Sequence, residues 1–333
     1  MPNQVAQVKS YKLDKIDRRI LYELDKNCRI SDNKLAKIVK RSREAVRNRI
    51  KKLEKDKIIL GFIASINPSK FGYIFYKLYF QLANIPEERK KFNTYFKDLP
   101  GLYWFGGNDG VWDFHTTMYA KDIKQINKIK NQIFTDFKHL ILKKDMGILV
   151  NARQYSKKYL YETKERPEPT MFADDILNNQ LDELDKKLIN TIAHNARLSL
   201  VQIAKQTNST VDIIRNRMKK LKQNGTIMQY RIAIDHNKLG FQMFKAFIYF
   251  HNLSEQDEKK LFEYAKQHTR ICYLIRQLSA WDVELEIMAN NYTEFIEIIE
   301  DIREQFSNII KNHEFCLMRE DIWFFGKKHI FGF

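Results

Sequence analysis

The sequence predicts an α+β protein made of two copies of one unit, each a winged-helix-like helix-turn-helix followed by a ferredoxin-like β-α-β-β-α-β domain. Three observations carry this reading. Residues 13–26, Leu-Asp-Lys-Ile-Asp-Arg-Arg-Ile-Leu-Tyr-Glu-Leu-Asp-Lys, reappear in outline at 181–194 as Leu-Asp-Glu-Leu-Asp-Lys-Lys-Leu-Ile-Asn-Thr-Ile-Ala-His. Such an internal repeat decides the architecture before any local reading. Within each copy the apolar spacing starts at three and four residues and then becomes that of strands. The register of the repeat holds through Arg47-Asn48-Arg49 with Arg215-Asn216-Arg217, through Gly72 with Gly240, and, one residue displaced, through Trp112-Asp113 with Trp281-Asp282.

In the first copy, Leu13, Ile16, Ile20, Leu21 and Leu24 mark an amphipathic helix over residues 13–26. Ser31 is the expected N-cap of a second helix with Leu35, Ile38 and Val39 on its apolar side, and Ser42 that of a third with Val46, Ile50 and Leu53 inward. The second and third helices are so close in sequence that the chain must turn sharply between them. A strand is expected over 58–66, a second over 73–84, a helix from Pro86, strands over 102–106 and 111–119 joined through Gly106-Gly107-Asn108-Asp109-Gly110, a helix over 122–137 and a last strand over 146–152. The second copy repeats the order with strands near 242–250, 271–276, 282–288 and 313–318 and helices over 255–267 and 292–306. The expected units are residues 1–66, 67–161, 176–234 and 235–333. Between them, residues 162–175 with Lys164-Glu-Arg-Pro-Glu-Pro169 read as an extended, solvated linker.

Composition excludes several classes. With 58 Lys and Arg against 41 Asp and Glu, the formal charge is +17. No apolar run approaches the ~20 residues that span a bilayer, and residues 1–10 carry no apolar signal core. Three scattered cysteines, Cys28, Cys272 and Cys316, fit neither a disulfide framework nor a zinc site. A cytoplasmic location is therefore expected. Glycine-rich phosphate loops and the common hydrolase and metalloprotease signatures are missing from the 333 residues, so no catalytic residue, metal or cofactor is expected.

The third helix carries the chemistry. With Val46 at zero and 100° per residue, Ile50 and Leu53 fall within about 40° of it, and Arg47, Asn48 and Lys51 project away. Arg suits guanine edges, Asn suits adenine and Lys suits phosphate. The same face recurs in the second copy as Arg215, Asn216 and Lys219. Arg49 and Arg217, about 60° from the buried stripe, suit a bridge to a carboxylate or phosphate better than a base. Residues 1–166 hold 36 Lys and Arg against 18 Asp and Glu, whereas residues 167–333 hold 22 against 23. Phosphate neutralisation dominates non-specific affinity for DNA, so the first copy is expected to dominate binding.

The pattern Ser42-x-x-x-Val46-x-x-Arg49-Ile50-x-x-Leu53-Glu54, followed by Ile58-Ile59-x-Gly61-Phe62 and preceded by Leu13-Asp14-x-x-Asp17-x-x-Ile20-Leu21, resembles the leucine-responsive regulatory protein/AsnC family. The second copy matches with Leu181-Asp182-x-x-Asp185, Thr210, Ile214, Arg217, Met218 and Leu221. The resemblance implies a sequence-specific transcriptional regulator that binds double-stranded DNA, with Ser42, Arg43, Arg47, Asn48, Arg49 and Lys51 of the first copy and Thr210, Arg215, Asn216, Arg217 and Lys219 of the second at the interface. It implies a regulatory ferredoxin-like domain that dimerises and senses amino acids, placing an effector near Gly106, Gly107, Asn108, Asp109 and Asp113. Most such proteins carry one copy per chain, so the tandem is expected to form an internal pseudo-dimer that can assemble further. Gly225 follows the third helix of the second copy as the family pattern asks, whereas Lys57 stands there in the first. Sirohaem decarboxylases resemble the same fold and give the alternative, an enzyme with His and Arg in an interdomain cleft. An architectural DNA-binding protein, suggested by the high net charge, is a third reading.

Overall fold

A computed structural model describes residues 11–319 together with Ile322 and Trp323. The first ten residues and Phe324-Phe325 of the tail lie outside the described part. The first copy opens with α1 (Lys15–Lys26), α2 (Asp32–Val39) and α3 (Arg43–Lys55). Asp14, Ser31 and Ser42 each accept a backbone N–H three residues on, so every helix start has its cap. Lys40, at φ 54°, makes the left-handed turn between α2 and α3. Lys57 ends α3 at φ 58°, the conformation that Gly225 adopts after the third helix of the second copy at φ 77°. A lysine there bears the Cβ strain that the glycine avoids.

β1 (Ile59–Ile66) leads into the sheet domain of β2 (Ile74–Leu82), α4 (Pro86–Asp98), β3 (Leu102–Gly110), β4 (Phe114–Ala120), α5 (Ile123–Asp136) and β5 (Ile141–Gln154). A short β6 (Thr170–Phe172) precedes the second copy: α6 (Glu183–His194), α7 (Leu200–Gln206), α8 (Val211–Gln223), β7 (Ile227–Ile234), β8 (Gln242–Phe250), α9 (Glu255–Gln267), β9 (Ile271–Leu278), β10 (Val283–Ala289), α10 (Tyr292–Gln305) and β11 (Ile310–Met318), followed by β12 (Ile322–Trp323).

Each copy forms an antiparallel sheet, in the orders β5-β2-β4-β3 and β11-β8-β10-β9. The two sheets stack and join along both edges, β5 with β9 and β11 with β3. Because β9 corresponds to β3 and β11 to β5, these seams are related by a pseudo-twofold. Outside the sheets, Leu78, Phe80, Phe92, Phe96, Phe114 and Ile133 pack the first pair of helices, and Phe244, Ile248, Phe295 and Ile299 the second. Above, β1 pairs antiparallel with β7 as a separate two-stranded ribbon. Each first helix packs on the ribbon strand of the other copy, α1 on β7 and α6 on β1.

Two expectations need correction. Residues 106–110 are not a hairpin turn: they complete β3, and the chain reverses at Val111–Asp113. Gly110, at φ 136°, lies so close to β11 that a Cβ would come within 2.7 Å of the Phe315 carbonyl. The proposed linker is not a free spacer either. Thr170–Phe172 pairs with β5, Phe172 and Ala173 are buried, and Glu165 meets Arg19 and Lys26. The apolar pair outweighs the two prolines that precede it.

The interior between the stacked sheets holds charge. Lys77 of β2 and Lys245 of β8 are counterparts, and both are buried. Glu284 meets Lys77 at 2.5 Å and Lys245 at 3.0 Å, while Glu286 meets Lys245 at 2.6 Å. Both carboxylates come from β10. Their first-copy counterparts are His115 and Thr117, so the second copy neutralises the lysines of both. Tyr79, Gln277 and Trp281 also donate to Glu284, and the two lysines hold its carboxyl far below the ordinary range despite burial.

Candidate nucleic-acid interface

The two helix-turn-helix units are fixed to each other before any ligand arrives. Arg29 Nη1 donates to the carbonyls of Ala196 (2.5 Å) and Leu198 (2.8 Å). Its counterpart Arg197 donates to the carbonyl of Cys28 (3.0 Å) and to Asp32 (2.6 Å). The backbone adds a matching pair, Cys28 N–H to Tyr230 and Ala196 N–H to Phe62, each 2.9 Å. Charge-assisted bonds of this kind are stronger than neutral ones, so the third helices sit on a braced platform.

On α3, Val46, Ile50 and Leu53 are buried and Arg43, Arg47, Asn48 and Lys51 are exposed, as the angular reading requires. Ser42 caps the helix, its hydroxyl accepting the Ala45 N–H. Arg47 also touches Asp32 at 3.2 Å with half its side chain in solvent. Asp32 thus joins the recognition face of the first copy to Arg197 of the second.

On α8, Ile214, Met218 and Leu221 are buried, Arg215, Asn216 and Lys219 are exposed, and Thr210 caps. Arg215 pairs with Asp212 one turn away, and Ile213 is exposed on the same helix. The second face has Val211 where the first has Arg43, and Ile213 where the first has Ala45, so it is the less cationic and the more apolar.

Arg49 and Arg217 fall outside the base-reading set. Arg49 bridges Asp14 (2.6 Å) and Asp17 (2.8 Å), and Arg217 bridges Asp182 and Asp185. These pairs tie each third helix to the start of its first helix. Burial, the largest single influence on Asp14, pushes its carboxyl up, but backbone and arginine hydrogen bonds together hold both Asp14 and Asp182 below the usual carboxylate range. The LD-x-x-D motif that opens each copy finds its physical purpose here.

The residues expected to seat an effector have structural partners. Asn108 is buried against His115 at 2.6 Å, Asp109 pairs with Arg319 at 2.9 Å, and Asp113 meets Arg89 at 3.1 Å while accepting the Leu82 N–H. Gly106 and Gly107 lie in the ladder with β4, opposite His115 and Phe114. Sequence reasoning missed a different feature: a cavity of about 390 Å³ beneath the ribbon, reached by Arg231, Lys157 and His236. The sequence reading did not single out Arg231, because nothing local to β7 shows what it faces. Among the described residues no group of His, Cys, Asp or Glu is placed to hold a metal, and no helix is long and apolar enough to cross a membrane.

Comparison with known proteins agrees with this geometry. A family model described as the AsnC-type helix-turn-helix domain matches residues 13–54 and again 181–222. An HTH-type transcriptional regulator of Pyrococcus abyssi is 38% identical over 63 residues, 19% of this chain and 43% of that protein. The chain thus spans under half the length of that relative. The regulator Ptr1 of Methanocaldococcus jannaschii is 33% identical over 119 residues, 35% of this chain and 78% of that protein. Among solved structures, the siroheme decarboxylase NirDL shares the fold across 92% of both chains, with a TM-score of 0.60 at 12% identity. The likeness extends over both copies and so includes their mutual placement. With two family helix-turn-helix units, and a relative matched over most of its length, the chain belongs to the leucine-responsive regulatory protein/AsnC family.

Proposed function

We propose that the protein is a sequence-specific, double-stranded DNA-binding transcriptional regulator whose two halves act as an internal pseudo-dimer. One observation carries this reading: two capped third helices, braced by the Arg29–Arg197 reciprocity, expose Arg, Asn and Lys at matching positions. The pseudo-twofold suits half-sites about 34 Å apart or a multiple of that. The charge asymmetry makes the first copy the stronger grip. The segment from Gly106 to Asp113 is not put forward as an effector seat, because its polar groups serve the strand seams.

Selection from a random duplex pool tests the reading. A two-part consensus with the stronger half under α3 supports it, and recovery of DNA without consensus favours the architectural alternative. A second reading, tetrapyrrole chemistry, is favoured by the whole-chain fold likeness together with a cavity that holds Arg231 and His236. Titration with iron-uroporphyrin tests it through a stoichiometric shift of the Soret band.

A further inference from the structure

The cavity beneath the ribbon is bounded above by β1 and β7 and below by β8, β9 and β10. Its volume lies within the range of small-ligand sites, ~300–1,000 Å³. The polar end is built by Arg231 and Lys157, both of which lean on a single buried carboxylate. Arg231 gives Nε and Nη2 to Asp25 at 3.0 and 2.7 Å, and Lys157 meets the same group at 2.9 Å. Asp25 itself does not line the cavity.

The charge does not close. Arg231 is 1% exposed, and its Nη1 is buried with no hydrogen-bond partner among the described residues. Among the described residues that line the cavity, Glu286 carries the one carboxylate. Glu286, on the opposite wall, belongs to the two-lysine, two-glutamate cluster, which is neutral by itself. His236 accepts or donates to the Tyr159 hydroxyl, and burial pushes its pKa down to about 3, so it adds no charge at neutral pH. One positive charge is left over in a place with little water, where an unpaired charge is costly. The remaining wall mixes apolar side chains, among them Ile63, Ile232, Met243 and Met288, with the polar Ser65, Gln154 and Tyr273.

We propose that this cavity binds a small organic monocarboxylate with an aliphatic or aromatic body. The carboxylate sits on Arg231 Nη1 and Lys157 Nζ, and the body lies against the β1 side chains. The site occurs once per chain, because the first-copy counterpart of Arg231 is Ile63 and the second-copy counterpart of Asp25 is Ala193. This inference stands apart from the DNA-binding reading, since neither third helix contributes to it.

Calorimetry on the full chain tests it with 4-methyl-2-oxopentanoate, phenylpyruvate and phenylacetate, against phenylacetamide and inorganic phosphate. At least one carboxylate is expected to bind at one per chain, at least tenfold more tightly than the amide. Arg231→Gln should weaken that binding at least tenfold. Because this change also disturbs Asp25, Gly61→Phe supplies a second arm: Gly61 lines the cavity and a Cβ there meets nothing within 4 Å, so a ring at this position is placed to obstruct the cavity, and the melting temperature checks that the variant is folded. The proposal is overturned if no carboxylate of the panel binds at millimolar concentration. It is equally overturned if acid and amide bind alike, if phosphate binds and the carboxylates do not, or if folded Gly61→Phe binds normally.

Discussion

Arg29 and Arg197 hold the same position in the two copies, and each donates to the backbone of the other copy's helix-turn-helix. The pair makes the distance between α3 and α8 a property of the fold rather than of the DNA. Replacing Arg29 with Ala strips two part-buried carbonyls of their donor, which costs about 1–3 kcal/mol. Chemical denaturation should show a loss of that size. A bipartite DNA site should lose affinity for the variant while an isolated half-site does not.

The two buried lysines give a second prediction. Glu284→Gln removes the carboxylate shared by Lys77 and Lys245, leaving a surplus of buried positive charge. Breaking such a group costs about 3–5 kcal/mol. Exchanging the counterparts, His115→Glu with Glu284→His, returns a carboxylate to the same interior and should recover part of the loss. Urea midpoints for the single and double variants decide it.

His115 makes stability depend on pH. Burial and the neighbouring Lys245 and Lys77 push its pKa well below the usual histidine value. The unfolded chain therefore binds a proton at pH values where the fold refuses one. Stability from this group is present above about pH 6.5 and declines on acidification, by at most about 1.4 kcal/mol per pH unit. Denaturation at pH 7.5 and 5.5 should show the decline, and His115→Asn should reduce it.

Lys57 offers a stabilising change. Its left-handed backbone is the one that Gly225 takes in the second copy. Lys57→Gly should raise stability by about 1 kcal/mol, since the conformation costs an L-residue about that much. A higher melting temperature with unaltered DNA affinity is the expected result.

What the sequence revealed was local or repeated. Caps at Ser31 and Ser42 act within one turn, and the stripe Val46, Ile50, Leu53 needs only the helical period to be seen. The succession of strands and helices along each copy followed from the change of apolar spacing from three and four residues to that of strands. What stayed hidden depends on contacts between distant segments. Gly106 to Gly110 read as a turn because glycine marks both turns and close strand approach, and only the β3–β11 seam tells them apart. Arg231 went unremarked, because its role appears only where α1 of the other copy brings Asp25 to it. Phe172 was overlooked beside prolines that favour exposure.

The most direct test of the central claim is the salt dependence of duplex binding for the parent chain and for two variants. One carries Arg43→Ala, Arg47→Ala and Lys51→Ala; the other carries Arg215→Ala and Lys219→Ala. Each lost phosphate contact lowers the slope of log K against log salt by about 0.9. The account predicts tight binding by the parent chain, a large loss of affinity and slope in the first variant, and a smaller loss in the second. Unchanged affinity and slope in the first variant, or equal losses in both, would contradict it.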